Sequence, residues 1–186
     1  MKKPAPADKK LLKTLTSTLK KLQGDLVVAK RVEGIDEYID VKVRYNDARF
    51  TRIKVENGKD KATGHYILDI AMTCKQGSVL VPLSIASGKT VTGFMYHIEG
   101  TGESAVASAS VKVRGDGIQQ VTIGTLEYCK IPAGKTATFR LQITIRGQIG
   151  KSYRIILNRL NYKLALSDAR YQQYLKPIKS DQLRFR

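Results

Sequence analysis

Residues 131–164 read IPAGKTATFRLQITIRGQIGKSYRIILNRLNYKL, and this stretch decides the fold class. After the turn-forming Pro132-Ala133-Gly134-Lys135, Ala137, Phe139, Leu141, Ile143 and Ile145 alternate with Thr136, Thr138, Arg140, Gln142, Thr144 and Arg146. A period of two means a strand with one buried and one wet face. Gly147 and Gly150 then punctuate the chain before a second strand beginning at Tyr153, with Ile155 and Leu157 on one parity and Leu160, Tyr162 and Leu164 on the other. The parity change near Asn158-Arg159 predicts a bulge, and the two strands together predict a β-hairpin.

Working outward, the whole chain of 186 residues suits one domain, and its 42% hydrophobic content suits a folded one. Its 33 basic and 16 acidic residues give a formal net charge of +17, with the excess at the two ends. Residues 1–22 hold seven lysines and one acid, and residues 146–186 hold ten basic residues and two acids. Cationic ends attract polyanions, whether nucleic acid, anionic lipid or an anionic surface polymer. Cys74 and Cys129 are too few for a disulfide framework and lack metal-ligand spacing, so they are either one bridge or two ordinary thiols. No apolar run is long enough to span a membrane, and no hydrophobic run follows Met1-Lys2-Lys3, so we expect neither a span nor a signal peptide within this chain.

In chain order, residues 1–24 form a basic N-terminal segment. Leu11, Leu12, Leu15, Leu19 and Leu22 recur at spacings of three and four, with Asp8 as N-cap and Gly24 after the end, which predicts a short amphipathic helix over 8–23. Residues 25–166 read as a β-sandwich. A first strand passes through Leu26 and Val28, and a half-buried strand passes through Val41, Val43 and Tyr45 to a turn at Asn46-Asp47. Ile53 and Val55 lead to an Asn57-Gly58 hairpin turn, and Tyr66, Leu68, Ile70 and Met72 alternate with Ile67, Asp69, Ala71 and Thr73. Pro82 marks a strand end. Phe94, Tyr96 and Ile98 lie on one strand, Ala105 to Val113 on another that closes in a hairpin turn at 114–117, and Val121, Ile123 and Leu126 on a third. Residues 167–186 are a basic C-terminal strand or arm. These nine or ten strands point to an all-β antiparallel sandwich, immunoglobulin-like or jelly-roll.

Chemistry is harder to find. His65 and His97 have no cysteine or carboxylate at metal-ligand spacing, and the parity of His97 turns it outward. Asp36, Glu37 and Asp40 lack the glycine and spaced oxygens of a calcium loop, and every glycine cluster lies between strands rather than ahead of a helix. The triplet Arg114-Gly115-Asp116 is accounted for as a turn. We therefore expect no enzyme, no metal and no cofactor.

Val81-Pro82-Leu83-Ser84, the run from Gly93 to Glu99, the run from Gly124 to Phe139, Ser152-Tyr153-Arg154-Ile155 and the closing Ser180-Asp181-Gln182-Leu183 resemble the immunoglobulin-like C-terminal modules of surface proteins from ultra-small, candidate-phyla bacteria. The resemblance covers roughly residues 65–186. It implies an extracellular or cell-surface, non-catalytic display module. Two functions follow from the sequence. In the first, a structural or adhesive sandwich self-assembles or binds a surface, with Leu11, Leu15, Leu19, Leu22, Leu183 and Phe185 as assembly contacts. In the second, a jelly-roll coat protein, located in a virion or the cytoplasm, neutralises nucleic acid or another polyanion through Lys9, Lys10, Lys13, Lys20, Lys21, Arg184 and Arg186.

Overall fold

The computed structural model describes residues 37–56, 59–87, 92–165, 171–174 and 176–186. The amphipathic segment 8–23, the strand expected at 25–32 and the Asn57-Gly58 turn lie outside the described residues. Among these residues there are strands and no helix: β1 (Ile39–Glu56), β2 (Lys59–Cys74), β3 (Ser78–Pro82), β4 (Ile85–Ser87), β5 (Phe94–Gly100), β6 (Ser104–Arg114), β7 (Gln119–Ile123), β8 (Leu126–Pro132), β9 (Thr136–Gln148), β10 (Ser152–Leu164), β11 (Gln172–Tyr174), β12 (Ile178–Lys179) and β13 (Leu183–Arg184). They build a four-stranded sheet ordered β1-β2-β9-β6 and a larger sheet ordered β4-β5-β10-β3-β8-β7, with β11, β12 and β13 also pairing β10.

The two sheets share one core. From the first come Tyr66, Leu68, Ile70 and Met72 of β2 and Phe139, Leu141, Ile143 and Ile145 of β9; from the second come Val79, Val81, Phe94, Tyr96, Cys129, Ile131, Tyr153, Ile155 and Leu157. Phe94 and Phe139 meet across this core, ring centroids 5.1 Å apart and tilted by 54°, within the centroid distance at which aromatic pairs attract. Tyr66 donates its hydroxyl to the Tyr153 carbonyl at 2.9 Å, a second tie between the sheets. Both cysteines are buried free thiols, and burial pushes the Cys129 thiol up to about 11, so it stays protonated.

The alternation in β9 is present as read, from Ala137 to Gly147, and the bulge expected in β10 is present between Leu157 and Arg159. The hairpin is not. β9 pairs β2 and β6, whereas β10 lies in the other sheet. Residues 149–151 carry the chain across the core as an arch, so the apolar faces of β9 and β10 look at each other instead of lying side by side. Gly150 takes φ +81° in this turn, a left-handed conformation that a glycine accepts without steric cost. Tyr153 braces the arch: its hydroxyl accepts from the Gln148 amide at 3.2 Å and donates to the Glu103 carbonyl at 2.9 Å.

Four further expectations are corrected. The loop 114–117 is no hairpin turn, because β6 and β7 belong to different sheets. The strand through Val121 and Leu126 is itself a hairpin, β7 with β8, turned at Gly124-Thr125. Asn46-Asp47 makes no turn. β1 runs straight through it, with a bulge between Val43 and Tyr45 that swings Tyr45 to the outer face, and Val43 is left exposed at the sheet edge. Asn46 instead ties down the C-terminal segment, its Nδ2 donating to Asp181 Oδ1 at 3.1 Å. The sheets are not purely antiparallel, since β4 pairs β5 in parallel. The backbone there passes so closely that a Cβ on Gly93 would lie 1.9 Å from the Pro82 carbonyl oxygen.

Candidate binding face

The outward residues of the four-stranded sheet fall into cross-strand rows fixed by register. Lys42, Ala71, Thr138 and Arg114 form one row; Tyr45, Asp69, Arg140 and Lys112 the next; then Asp47, Ile67, Gln142 and Ser110; then Arg49, His65, Thr144 and Ser108. Tyr45, Asp47, Arg49, His65, Ile67 and Arg140 line a shallow groove of about 210 Å³. Tyr45 is 43% exposed, so its ring offers a flat apolar surface beside the polar groups.

Charge on this face is arranged in pairs. Asp69 is only 3% exposed and is held by Arg140 through two parallel bonds, Nε to Oδ1 at 2.8 Å and Nη2 to Oδ2 at 2.7 Å. A second guanidinium, Arg114, stands 3.6 Å from the same carboxylate. Arg49 pairs Asp47 at 2.7 Å and Lys42 pairs Asp40 at 3.3 Å. Lys42, Arg49, Lys112, Arg114, Arg140 and Arg146 thus outnumber Asp40, Asp47 and Asp69, and the face carries net positive charge beside paired donors and acceptors.

The hydrogen bonds from Arg140 hold the Asp69 carboxyl below the usual carboxylate range; burial opposes this, and the charges of Arg140 and Arg114 reinforce it. A depressed native pKa means that the unfolded chain binds the proton first, at ~3.9. The stabilisation is therefore present above that value and lost as pH falls through the native pKa. Urea midpoints at pH 7 and pH 3 are expected to differ more in the unmodified protein than in Asp69→Asn; equal pH dependence would show that this pair carries no linkage.

The residues proposed from sequence lie elsewhere. Lys9, Lys10, Lys13, Lys20, Lys21, Leu11, Leu15, Leu19 and Leu22 are outside the described residues. Arg184 and Arg186 are exposed on the C-terminal segment, which belongs to the other sheet. Leu183 and Phe185, expected to meet a second copy, are instead buried in the core of their own chain, at 9% and 0% exposure. Phe185 packs on Tyr153 with centroids 5.0 Å apart, and it fills a depression that Gly64 and Gly147 leave open, since a Cβ on either glycine would fall under 3 Å from its ring. Nothing apolar in that pair of side chains is left over for assembly.

The outward parity of His65, Ile67, Asp69 and Arg140 is legible in the sequence, whereas that of Tyr45 is not, because the bulge between Val43 and Tyr45 reverses it. Asp69 and Arg140 lie 71 positions apart, and only the register of β2 against β9 sets them side by side. An acid at an outward position of one strand and an arginine at an outward position of another is the signal available, and it does not say which strands are neighbours. His97 is exposed, as its parity indicated. Among the described residues no helix is long and apolar enough to cross a membrane, and no three His, Cys, Asp or Glu side chains gather to hold a metal. Compared with protein-family models, with curated proteins and with solved structures, the chain matches none.

Proposed function

We propose that this chain is a non-enzymatic adhesive module whose four-stranded sheet binds an acidic polysaccharide on its outer face, at a cell surface where such polymers are met. The observation that carries this reading is the groove at Tyr45: an exposed aromatic ring flanked by the Asp47–Arg49 and Asp69–Arg140 pairs. A sugar ring presents an apolar face suited to an aromatic side chain, and hydroxyl groups that both donate and accept. Guanidinium and carboxylate groups set side by side match that double character. The surplus cations Lys112, Arg114 and Arg146 suit a polymer bearing carboxylates or sulfates. A nucleic-acid backbone is favoured less, because it offers few free hydroxyl groups to the acceptor oxygens of Asp47.

In fold we favour the jelly-roll over the immunoglobulin reading. β7 pairs β8, β6 pairs β9 and β5 pairs β10, and these nested pairs alternate between the sheets, as in a long antiparallel ribbon rolled into two layers.

The test uses gel retardation with polygalacturonate, heparin, neutral dextran and single-stranded DNA as probes, on the full chain and on Tyr45→Ala. Retardation by the acidic polysaccharides is expected to fall at least tenfold in Tyr45→Ala. Retardation that is unchanged by Tyr45→Ala would place binding on the lysine-rich ends and overturn the assignment, as would tighter binding of the DNA than of either polysaccharide.

A further inference from the structure

We propose that the free edge of β6 is an interface with a second copy of this chain, formed by antiparallel pairing of β6 with its own equivalent about a two-fold axis at Ala109. Among the described residues β6 has a strand neighbour on one side only, β9. An unpaired edge exposes a row of backbone donors and acceptors, and soluble proteins blunt such edges with charge, proline or short length. β1, the opposite edge, is protected in this way: Lys42, Arg44, Asp47 and Arg49 stud it. β6 is not. Its residues Ser104 to Val111 read SAVASASV, without a charge, a proline or a glycine, and Ser104 to Ser108 are exposed throughout, with Val106 at 39%.

The occupant is argued from self-complementarity. Ser104, Val106, Ala109, Val111 and Val113 lie on the core side of the sheet, because they register with Gly147, Ile145, Ile143, Leu141 and Phe139, although Ser104 and Val106 remain exposed there. A bulge between Val106 and Ser108 shifts the parity of one half of the strand against the other. About an axis at Ala109, with the extra residue of the bulge counted, Ser104 lies opposite Val113 of the second copy, Val106 opposite Val111 and Ser108 opposite Ser110, each on the same side of the sheet as its partner. Ala105 lies opposite Lys112, outer side with outer side. Glu103 falls opposite Arg114, so the pairing closes at each end on opposite charges. Parallel pairing would instead set Lys112 against Lys112. A two-fold contact of one patch with itself closes on a dimer rather than propagating. The bulge at Ala107 of each copy flanks a central run, Ser108 to Ser110 against its own equivalent, and leaves Ser104 to Val106 paired with Val111 to Val113 at either end.

Because outer residues pair with outer residues, the two four-stranded sheets would join into one sheet with both outer faces on the same side. If those faces bind a polymer as proposed above, the two grooves act on one chain at once and gain by avidity. The dimer itself does not depend on that reading, and its test uses no ligand.

Light scattering after size exclusion is expected to give a concentration-dependent shift towards twice the 20.7 kDa mass of one chain. Ser110→Lys, at an exposed position of the edge, is expected to abolish the shift while leaving the circular dichroism spectrum unchanged. A full chain carrying Ala105→Cys with Lys112→Cys is expected to form a covalent dimer under mild oxidation, and Thr51→Cys, on the far edge, to remain monomeric; the native thiols are both buried. A monomer at every concentration overturns the proposal. So does a dimer that survives Ser110→Lys, or one that cross-links at Thr51→Cys and not at the paired positions.

Discussion

Phe139→Ala is expected to lower the stability of the protein by about 3–5 kcal/mol, the range for a large aromatic removed from a packed core. The ring is fully buried, it lies on the core face of β9, and its contact with Phe94 is one of the places where the two sheets meet. Neither sheet can move to fill the space without disturbing the other. Three residues along, Gln142 points out of the same strand, and Gln142→Ala is expected to stay within about 0.5 kcal/mol. The whole stability of a domain is about 5–15 kcal/mol, so Phe139→Ala alone can prevent soluble expression. Denaturant midpoints of the two variants measure the difference. Equal shifts would mean that β9 has no buried face, and the common core would fall with it.

Phe185→Ala is expected to cost nearly as much, about 3–5 kcal/mol, although it is the second-to-last residue of the chain. Terminal residues usually tolerate change because few contacts hold them. Here the Phe185 amide donates to the Lys151 carbonyl at 2.9 Å, and the Phe185 carbonyl accepts from the Gly150 amide at 2.7 Å. These two bonds seat the ring over Gly64 and Gly147, against Tyr153. The side chain therefore covers the arch between β9 and β10 from below. Gly147→Ala is the complementary change: its added methyl would lie 2.5 Å from the Tyr153 ring and 2.8 Å from the Phe185 ring, and it is expected to destabilise by displacing the same plug. Arg186→Ala, one residue further and exposed, is expected to do almost nothing. A midpoint for Phe185→Ala close to that of Arg186→Ala would show that the C-terminal segment is a solvated arm after all.

Taken together, these expectations locate the fold's dependence on a few long-range contacts that sequence patterns touch on one side only. Phe139 was identifiable as a core residue from alternation alone. Phe185 reads from sequence as an apolar contact for a partner, because nothing in Asp181-Gln182-Leu183-Arg184-Phe185 shows that two glycines, 121 and 38 positions upstream, stand beside each other and leave room for a ring. The groove at Tyr45 has the same history. Its six lining residues come from β1, β2 and β9, and the bulge that turns Tyr45 outward interrupts the very alternation used to read the strand.

By itself, the sequence determined that the body of the chain is built of strands, which faces of β2 and β9 are buried, and where β10 bends, because side-chain direction along an extended backbone is a local property with a period of two. The choice of partner is not local. Two amphipathic strands joined by a short glycine turn bury their apolar faces equally well side by side in one sheet, over a third layer, or face to face across a core, and the alternation is identical in each case. Only the closing of the two sheets on one another decided that β9 and β10 form an arch, that β7 and β8 form the hairpin instead, that Phe185 belongs to the core, and that an aspartate of β2 meets an arginine of β9 on the outer face.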